Sequence, residues 1–437
     1  MRRSVVALSV LATLATGSCL GAAQAFSAAD STAGREPGRG TNVLVVGIDS
    51  RAGLSAAEKR RLHVGGDGCN CTDVMMLLHL SQDRRRASVV SIPRDSYVEY
   101  AGDTTPARLG KINGAYRLGG GPLTVRTVEK VTGLHIDHYL ETGFTGFEQA
   151  VDNLGGATVC TDKPLKDENS GLDITAGTHR TDGRGTLAYV RARHVDRPGD
   201  LGRVRRQQRM VTDLLARLTA EGALSDPWST ARTVRALLKS VRTDDRTGLD
   251  DLVRIGGALG RLSAARAEFA TVPIELFDHR VPGVGSTLVW HKSRSEALWK
   301  ALAEDRPITG DPRIQPVPET PARTNPAGIA VRVDDAAVAA ALRGNGFVVT
   351  DTAPSSPAAR PEGPPVISHA EGREADAATL AAALPGSRLR VVPGHDASFD
   401  VAVGTLPVTV KTVTYDRNVA DGAPVTADHL SCVGGAP

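Results

Sequence analysis

Three short runs dominated by β-branched and aliphatic residues, Val43 to Ile48, Val74 to Leu80 and Ala87 to Ile92, follow one another closely in the chain. None alternates polar with apolar residues, as a strand with one wet face must. Continuous runs of this length belong to strands covered on both faces. Such a sheet needs helices, and the next segments supply them. Pro122 stands near a helix start, Val125, Val128 and Val131 lie on or near one face, and Gly133 reads as the stop. His135 to Glu141 predicts a further strand, Phe144 to Asn153 a helix closed by Gly155 and Gly156, and Ala157 to Cys160 a short strand. Strands alternating with helices predict an α/β fold with a mixed central β-sheet sandwiched by helices.

Farther along, Met210, Val211, Leu214, Leu215 and Leu218 recur at spacings of 3 and 4, so Arg203 to Thr219 predicts an amphipathic helix. Two more such stretches, 229–242 and 249–262, precede a predicted strand at Phe269 to Leu276. A chain of 437 residues suits two or three domains. The first is read as 41–300. Residues 306–327 hold six prolines without apolar periodicity and read as a linker. Residues 328–410 read as a small C-terminal α/β domain: a strand at Gly328 to Val333, an Ala-rich helix, the run Gly346 to Val349, a Pro-rich loop, and a second Ala-rich helix at 374–384. The tail, 411–437, carries little pattern.

The first residues set the compartment. Arg2 and Arg3 are followed by no charge until Asp30, with Val5 to Leu14 as the apolar centre. This is an export signal. Ala23-Gln-Ala25 fits a small-residue cleavage site, yet the same stretch is long enough for an uncleaved anchor, so residues 1–26 read as either a signal peptide or a membrane anchor. Cys19 lacks the aliphatic residue three positions earlier that a lipoprotein signal carries. The rest of the chain is expected on the extracellular side of the cytoplasmic membrane, anchored there or secreted toward the cell wall. Four cysteines remain in that oxidising compartment, Cys69, Cys71, Cys160 and Cys432, with three connectivities open. Cys69 and Cys71 are too close in sequence to favour each other, so a bridge from one of them to Cys160 is expected.

Several motifs are absent from the sequence: a Gly-rich loop ending in Gly-Lys-Ser/Thr, a His-Glu-x-x-His pair, and a Gly-x-Ser-x-Gly elbow. With an export signal and no helix-turn-helix or zinc finger, nucleic acid is not an expected partner. His135 and His138, on opposite faces of their predicted strand, read as structural. What remains is a constellation of carboxylates and arginines, in a chain with 43 Arg against 9 Lys. Asp49 and Arg51 stand past the end of the first strand and Asp73 just before the second, so an antiparallel pair would bring both aspartates to one sheet edge. Two adjacent carboxylates repel unless a proton or cation lies between them, and Mg²⁺ is bound through one or two carboxylates plus substrate phosphates. Pro93 ends the third strand and directs Arg94 and Asp95 to the same edge. Residues 180–217 hold ten Arg against four Asp. Within them Tyr189 to Arg193 alternates, which predicts a strand projecting Arg191 and Arg193 from one face. Asp200 is placed to cap the next helix, whose first turns carry Arg203, Arg206 and Gln207 on one stripe. A pyrophosphate with a divalent cation suits such an arrangement.

The order Val46-Gly-Ile-Asp-Ser-Arg51, Thr72-Asp-Val-Met-Met76, Ser91-Ile-Pro-Arg-Asp95, Lys111-Ile-Asn-Gly-Ala-Tyr116 and the Arg-rich stretch 191–207 resembles the LytR-CpsA-Psr family over roughly residues 41–280. The unit from 328 resembles the small C-terminal domain that often follows. The resemblance implies a cell-envelope phosphotransferase that moves an anionic glycopolymer from a polyprenyl-pyrophosphate carrier to peptidoglycan, using Mg²⁺ or Mn²⁺. It implies metal ligation by Asp49 and Asp73. It places the pyrophosphate on Arg94, Arg191, Arg193 and Arg203 with Gln207 beside them; Arg51, Lys111 and Arg206 are further pyrophosphate-binding candidates, and Asp95 stands beside Asp73 as a candidate to accept the acceptor hydroxyl's proton. An apolar tunnel for the lipid would lie between sheet and helices, with Met210, Leu214 and Leu218 on its wall. One departure is Cys71, where many members carry arginine, so an anion contact is missing there or supplied by Arg51. Two other readings are a non-catalytic binder or sensor of polyprenyl phosphates, which needs the arginines but not the paired aspartates, and a transcriptional regulator, which the leader opposes.

Overall fold

A computed structural model of the chain describes residues 40–66, 68–102, 108–193, 195, 200–220, 226–314, 320, 322–351, 361–415 and 423–432. The three apolar runs form strands β1 (Thr41–Ile48), β2 (Thr72–Leu80) and β3 (Ala87–Ser91). β1 and β2 are antiparallel, with Thr41 opposite Leu80 and Ile48 opposite Thr72, and β2 and β3 are antiparallel in turn. Strand β4 (His138–Thr142) lies parallel to β1. Strands β5 (Ala157–Thr161) and β6 (Gly177–Thr181) pair apart from this sheet. The short β7 (Arg242–Thr243) flanks β4, and β8 (Ala267–Thr271) runs parallel to β3. The central sheet is therefore mixed and has the order β7-β4-β1-β2-β3-β8, extended beyond β8 by Val425–Thr426 near the end of the chain.

Helices cover it as the apolar runs require. They are α1 (Ala56–Arg61), α2 (Gly114–Thr132), α3 (Phe144–Asn153), α4 (Gly183–Arg191), α5 (Asp200–Ala220), α6 (Pro227–Leu238), α7 (Leu249–Leu259) and α8 (Lys292–Ala303). On one face Leu44, Val46, Met75, Leu77 and Val90 pack with Val128 of α2 and Leu298, Trp299 and Leu302 of α8. A second sheet, ordered Val348–Asp351, Ala330–Val333, Phe399–Ala402, Val366–His369, Arg388–Val391, encloses its own core with the helices Ala336–Gly344 and Glu374–Ala383.

Several expectations are corrected. Tyr189 to Arg193 is not a strand: α4 runs through Arg191, started by Asp182, whose side chain accepts from the Gly185 N–H. Gly183 and every residue from Thr186 to Val190 are buried, so the segment packs as a helix on most of its sides and the alternation of Arg and apolar residues does not mark a strand face. Helix α2 starts at Gly114, well before Pro122, and breaks at Gly119 and Gly120, so Pro122 opens its second segment; Gly133 ends it in the left-handed conformation at φ 72°. β4 begins only at His138, leaving His135 outside it, where its Nδ1 lies 3.2 Å from Glu129. The strand expected over Phe269 to Leu276 is two, because Pro273 cannot donate to a ladder, and the second, Ile274–Val281, turns away to pair with Gly285–Trp290. Ile308 and Ile314, in the stretch read as linker, are buried in the first core.

The tail has more structure than its sequence suggests. Ala427 and Leu430 are buried against Met76, Val89 and Phe269 of the central sheet. Beyond them Cys432 is bonded to Cys160 at the end of β5, 272 positions earlier, while Cys69 is bonded to Cys71. The bridge expected from Cys69 or Cys71 to Cys160 is thus replaced, because the returning tail delivers a nearer thiol. Among the described residues no helix is long and apolar enough to cross a membrane, and the leader lies outside them.

Candidate active site

The other face of the sheet is not solidly packed. A cavity of about 430 Å³ lies between β1 and β2 and the helices α3, α4 and α5. The antiparallel register brings the residue after β1, Asp49, and the second residue of β2, Asp73, to one edge, and both line the cavity. Asp49 is buried, and Arg51 donates to both its oxygens, at 2.8 Å from Nε and 2.9 Å from Nη2. Asp73 accepts from Arg94 Nη1 at 2.5 Å. Five arginines, Arg51, Arg94, Arg191, Arg193 and Arg203, face two aspartates around this end, so it favours an anion.

Local features place these arginines. Pro93 ends the third strand run and turns Arg94 toward the edge, where its Nε also lies 3.5 Å from Asp95. Arg191 sits at the carboxyl end of α4, where the helix dipole favours a cation, and its guanidinium donates to the carbonyls of Leu62 at 2.7 Å and His63 at 3.3 Å. It also stacks over the Phe144 ring at 4.9 Å. Burial pulls the Arg191 pKa down, opposed by the charges of Asp73 and Asp49. Past the helix end, the Arg193 backbone N–H donates to Asp167 Oδ2 at 3.0 Å. Arg203 and Gln207 reach the cavity from the first turns of α5, and Gln207 Nε2 donates to the Val190 carbonyl at 3.2 Å.

Three residues expected here, Arg206, Lys111 and Asp95, have other work. Arg206 is buried, donates to the carbonyls of Tyr189 and Ala192, and does not line the cavity; it ties α5 to the end of α4. Lys111 and Asp95 form an ion pair at 2.8 Å outside the cavity lining, behind Arg94. Asp200 opens α5, though its side chain lies outside the described residues.

Away from the charges the lining turns apolar. Val45 and Met76, cross-strand partners, face Phe144 and Phe147 of α3, Val190 of α4, and Met210 of α5. Met210 lines the cavity and is also buried in the cluster around Val159 and Tyr189; Leu214 packs against that cluster without lining the cavity, and the side chain of Leu218 lies outside the described residues. Sequence reasoning missed Phe144 and Phe147, although their spacing of three on a predicted helix was the available signal. It also missed His63 and Ser170, which come from irregular segments without periodicity.

The donor set bears on a metal. Among the described residues no group of three or more His, Cys, Asp or Glu could hold one, and the carboxylates lining this cavity are Asp49 and Asp73. Two hard oxygen ligands fit Mg²⁺, which takes its remaining ligands from water and phosphate. Cys71 holds a disulfide, and its sulfur accepts from Asn113 Nδ2 at 3.6 Å.

Comparison with known proteins follows the same lines. The LytR_cpsA_psr family matches residues 20–304, and the domain described as LytR cell envelope-related transcriptional attenuator matches residues 334–406. The probable cell wall biosynthesis protein LcpB of Corynebacterium glutamicum is 38% identical over 264 residues, 60% of this chain and 61% of that protein. The polyisoprenyl-teichoic acid–peptidoglycan teichoic acid transferase TagU of Oceanobacillus iheyensis is 29% identical over 249 residues, 56% of this chain and 69% of that protein. The chain thus spans about three fifths of the length of the first of these relatives. The crystal structure of B. subtilis TagV shares the fold, with a TM-score of 0.51 and 24% identity over 62% of this chain and 98% of that one. With a family match across well over half its length and that architecture around the cavity, the chain belongs to the LytR-CpsA-Psr family.

Proposed function

We propose that this protein transfers an anionic glycopolymer from a polyprenyl-pyrophosphate carrier to peptidoglycan, on the outer side of the cytoplasmic membrane, either held there by its leader or released after cleavage. One observation carries the reading: an edge rich in arginine and aspartate and an apolar wall share a single cavity, which suits a ligand with a pyrophosphate head and a hydrocarbon tail. The names of the relatives, a cell wall biosynthesis protein and a teichoic acid transferase, support the same class.

In this reading Arg94, Arg191, Arg193 and Arg203 bind and orient the pyrophosphate oxygens. They also stabilise the charge that spreads as the phosphoryl group transfers. Asp49 and Asp73 would hold Mg²⁺, or Mn²⁺ in its place, which when bound neutralises phosphate charge. Phe147, Val190 and Met210 exclude water around the first prenyl units. An acceptor hydroxyl must lose its proton; Asp73 lines the cavity and Asp95 does not, which supports Asp73 as the group that takes it.

The test is a transfer assay with a prenyl-pyrophosphate donor labelled in its glycan, peptidoglycan as acceptor, and the full chain. Label should move to the insoluble peptidoglycan only with a divalent cation present. Tight donor binding without transfer or release of prenyl phosphate would instead favour a non-catalytic carrier or sensor.

A further inference from the structure

Helix α6 packs through Thr230 and Val234, which are buried, and leaves its opposite face to solvent. On that face stand Trp228, Arg232, Arg235 and Lys239, all exposed, with Trp228 the most exposed large hydrophobic residue among those described, at 71%. Steps of four, three and four residues keep the four side chains on one narrow stripe. No acidic residue lies between Pro227 and Lys239. The carboxylate that precedes the helix in sequence, Asp226, is occupied as its cap, accepting from the N–H groups of Trp228 at 2.9 Å and Ser229 at 3.0 Å. An indole exposed beside three cations is costly to leave in water and suits an interface with an apolar interior and an anionic rim.

The same helix is fastened to the cavity. Thr142 Oγ1 donates to the Ser240 carbonyl, just past the end of α6, at 3.0 Å, and that carbonyl leaves no room for a side chain on Gly146 of α3. Thr142, Gly143 and Phe144 line the cavity next to Arg191. A surface held by the α6 stripe is thereby held in a fixed relation to the lipid-facing side of the cavity.

We propose that the Trp228, Arg232, Arg235 and Lys239 face docks on an anionic bilayer surface, with the indole among the headgroups and the three cations against lipid phosphates. A bilayer suits this face better than a saccharide, because the stripe lies on a solvent-exposed helix face and its residues take no part in lining the cavity. The docking stands on the surface itself; its purpose, delivering a lipid-linked donor to the cavity, rests on the function proposed above.

The experiment uses the full chain with vesicles carrying brominated acyl chains, which quench only tryptophans that reach the interface. Trp290 and Trp299 belong to the first core and give the background. Quenching should appear with phosphatidylglycerol, be weak with phosphatidylcholine, and vanish in Trp228→Phe. Reversing Arg232, Arg235 and Lys239 to Glu should weaken the docking on the order of 100-fold, from about fivefold per cation. Equal quenching in both lipids, or quenching unchanged by Trp228→Phe, overturns the proposal. So does a Trp228 signal that responds to a soluble anionic glycopolymer and not to vesicles. Cleavage of a short, water-soluble prenyl pyrophosphate, measured on the same preparations, should be unaffected by the α6 variants. If wild type cleaves nothing while docking persists, the functional reading fails and the docking stands.

Discussion

At its charged end the cavity is closed by ion pairs between residues 2 and 21 positions apart, Asp49 with Arg51 and Asp73 with Arg94. Its apolar wall draws Val45, Met76, Phe147, Val190 and Met210 from five separate elements. The charged end is preorganised by strand ends and a short turn, so its chemistry is set before any ligand arrives. The wall exists only because helices α3, α4 and α5 hold their distance from the sheet. Substitutions at the two ends should therefore fail differently.

Asp49→Ala has the largest expected effect. Turnover of a prenyl pyrophosphate with Mg²⁺ should fall by 10²- to 10³-fold or more, roughly the scale for losing an electrostatic element of a transition-state site. Retention of the lipid should remain measurable by native mass spectrometry, since the arginines and the wall are intact. Wild-type turnover in both Asp49→Ala and Asp73→Ala would remove the metal assignment. Arg191→Ala comes next: a lost charge-assisted contact should weaken binding by roughly 10- to 150-fold, read by titration calorimetry. Because Arg191 also ties the Leu62 and His63 carbonyls, Arg191→Lys should recover part of the affinity and little of the geometry.

The same contrast explains what could be read from the chain. Asp49, Asp73 and Arg94 were legible because each flanks an apolar run whose identity as a strand left little choice. Arg191 and Arg193 line the cavity, but the strand expected over Tyr189 to Arg193 gives way to a helix through Arg191, since alternation over five residues is weaker than an Asp cap followed by a run buried from Thr186 to Val190. The wall was legible only where one helix supplied periodicity, which found Met210 and missed Phe147. Arg206 turns to the Tyr189 carbonyl and does not line the cavity, and a helical stripe does not say which of its arginines meets a neighbouring backbone. The Cys160–Cys432 bond was out of reach, because no local pattern announces that a tail will return to a sheet edge across 272 positions.

Changes to the wall should be milder than changes to the charges. Met210→Trp should reduce affinity for a long prenyl chain by roughly tenfold, within the 1–3 kcal/mol typical of overpacking, while a short-chain pyrophosphate binds nearly as before. A loss equal for both chain lengths would mean that Met210 does not face the chain. The smallest effect on chemistry is expected for Cys432→Ser. It should lower stability by about 2–4 kcal/mol, visible as a reduced Tm, with turnover retained well below the transition. Unchanged Tm would show that the tail contributes no anchorage.

A structure of the protein with a prenyl pyrophosphate and Mg²⁺ bound should hold the diphosphate among Arg94, Arg191, Arg193 and Arg203, beside Asp49 and Asp73, with the first prenyl units running along Phe147, Val190 and Met210. A ligand bound elsewhere, or a diphosphate at the charged edge whose chain runs into solvent and leaves the apolar wall empty, would contradict the proposed function.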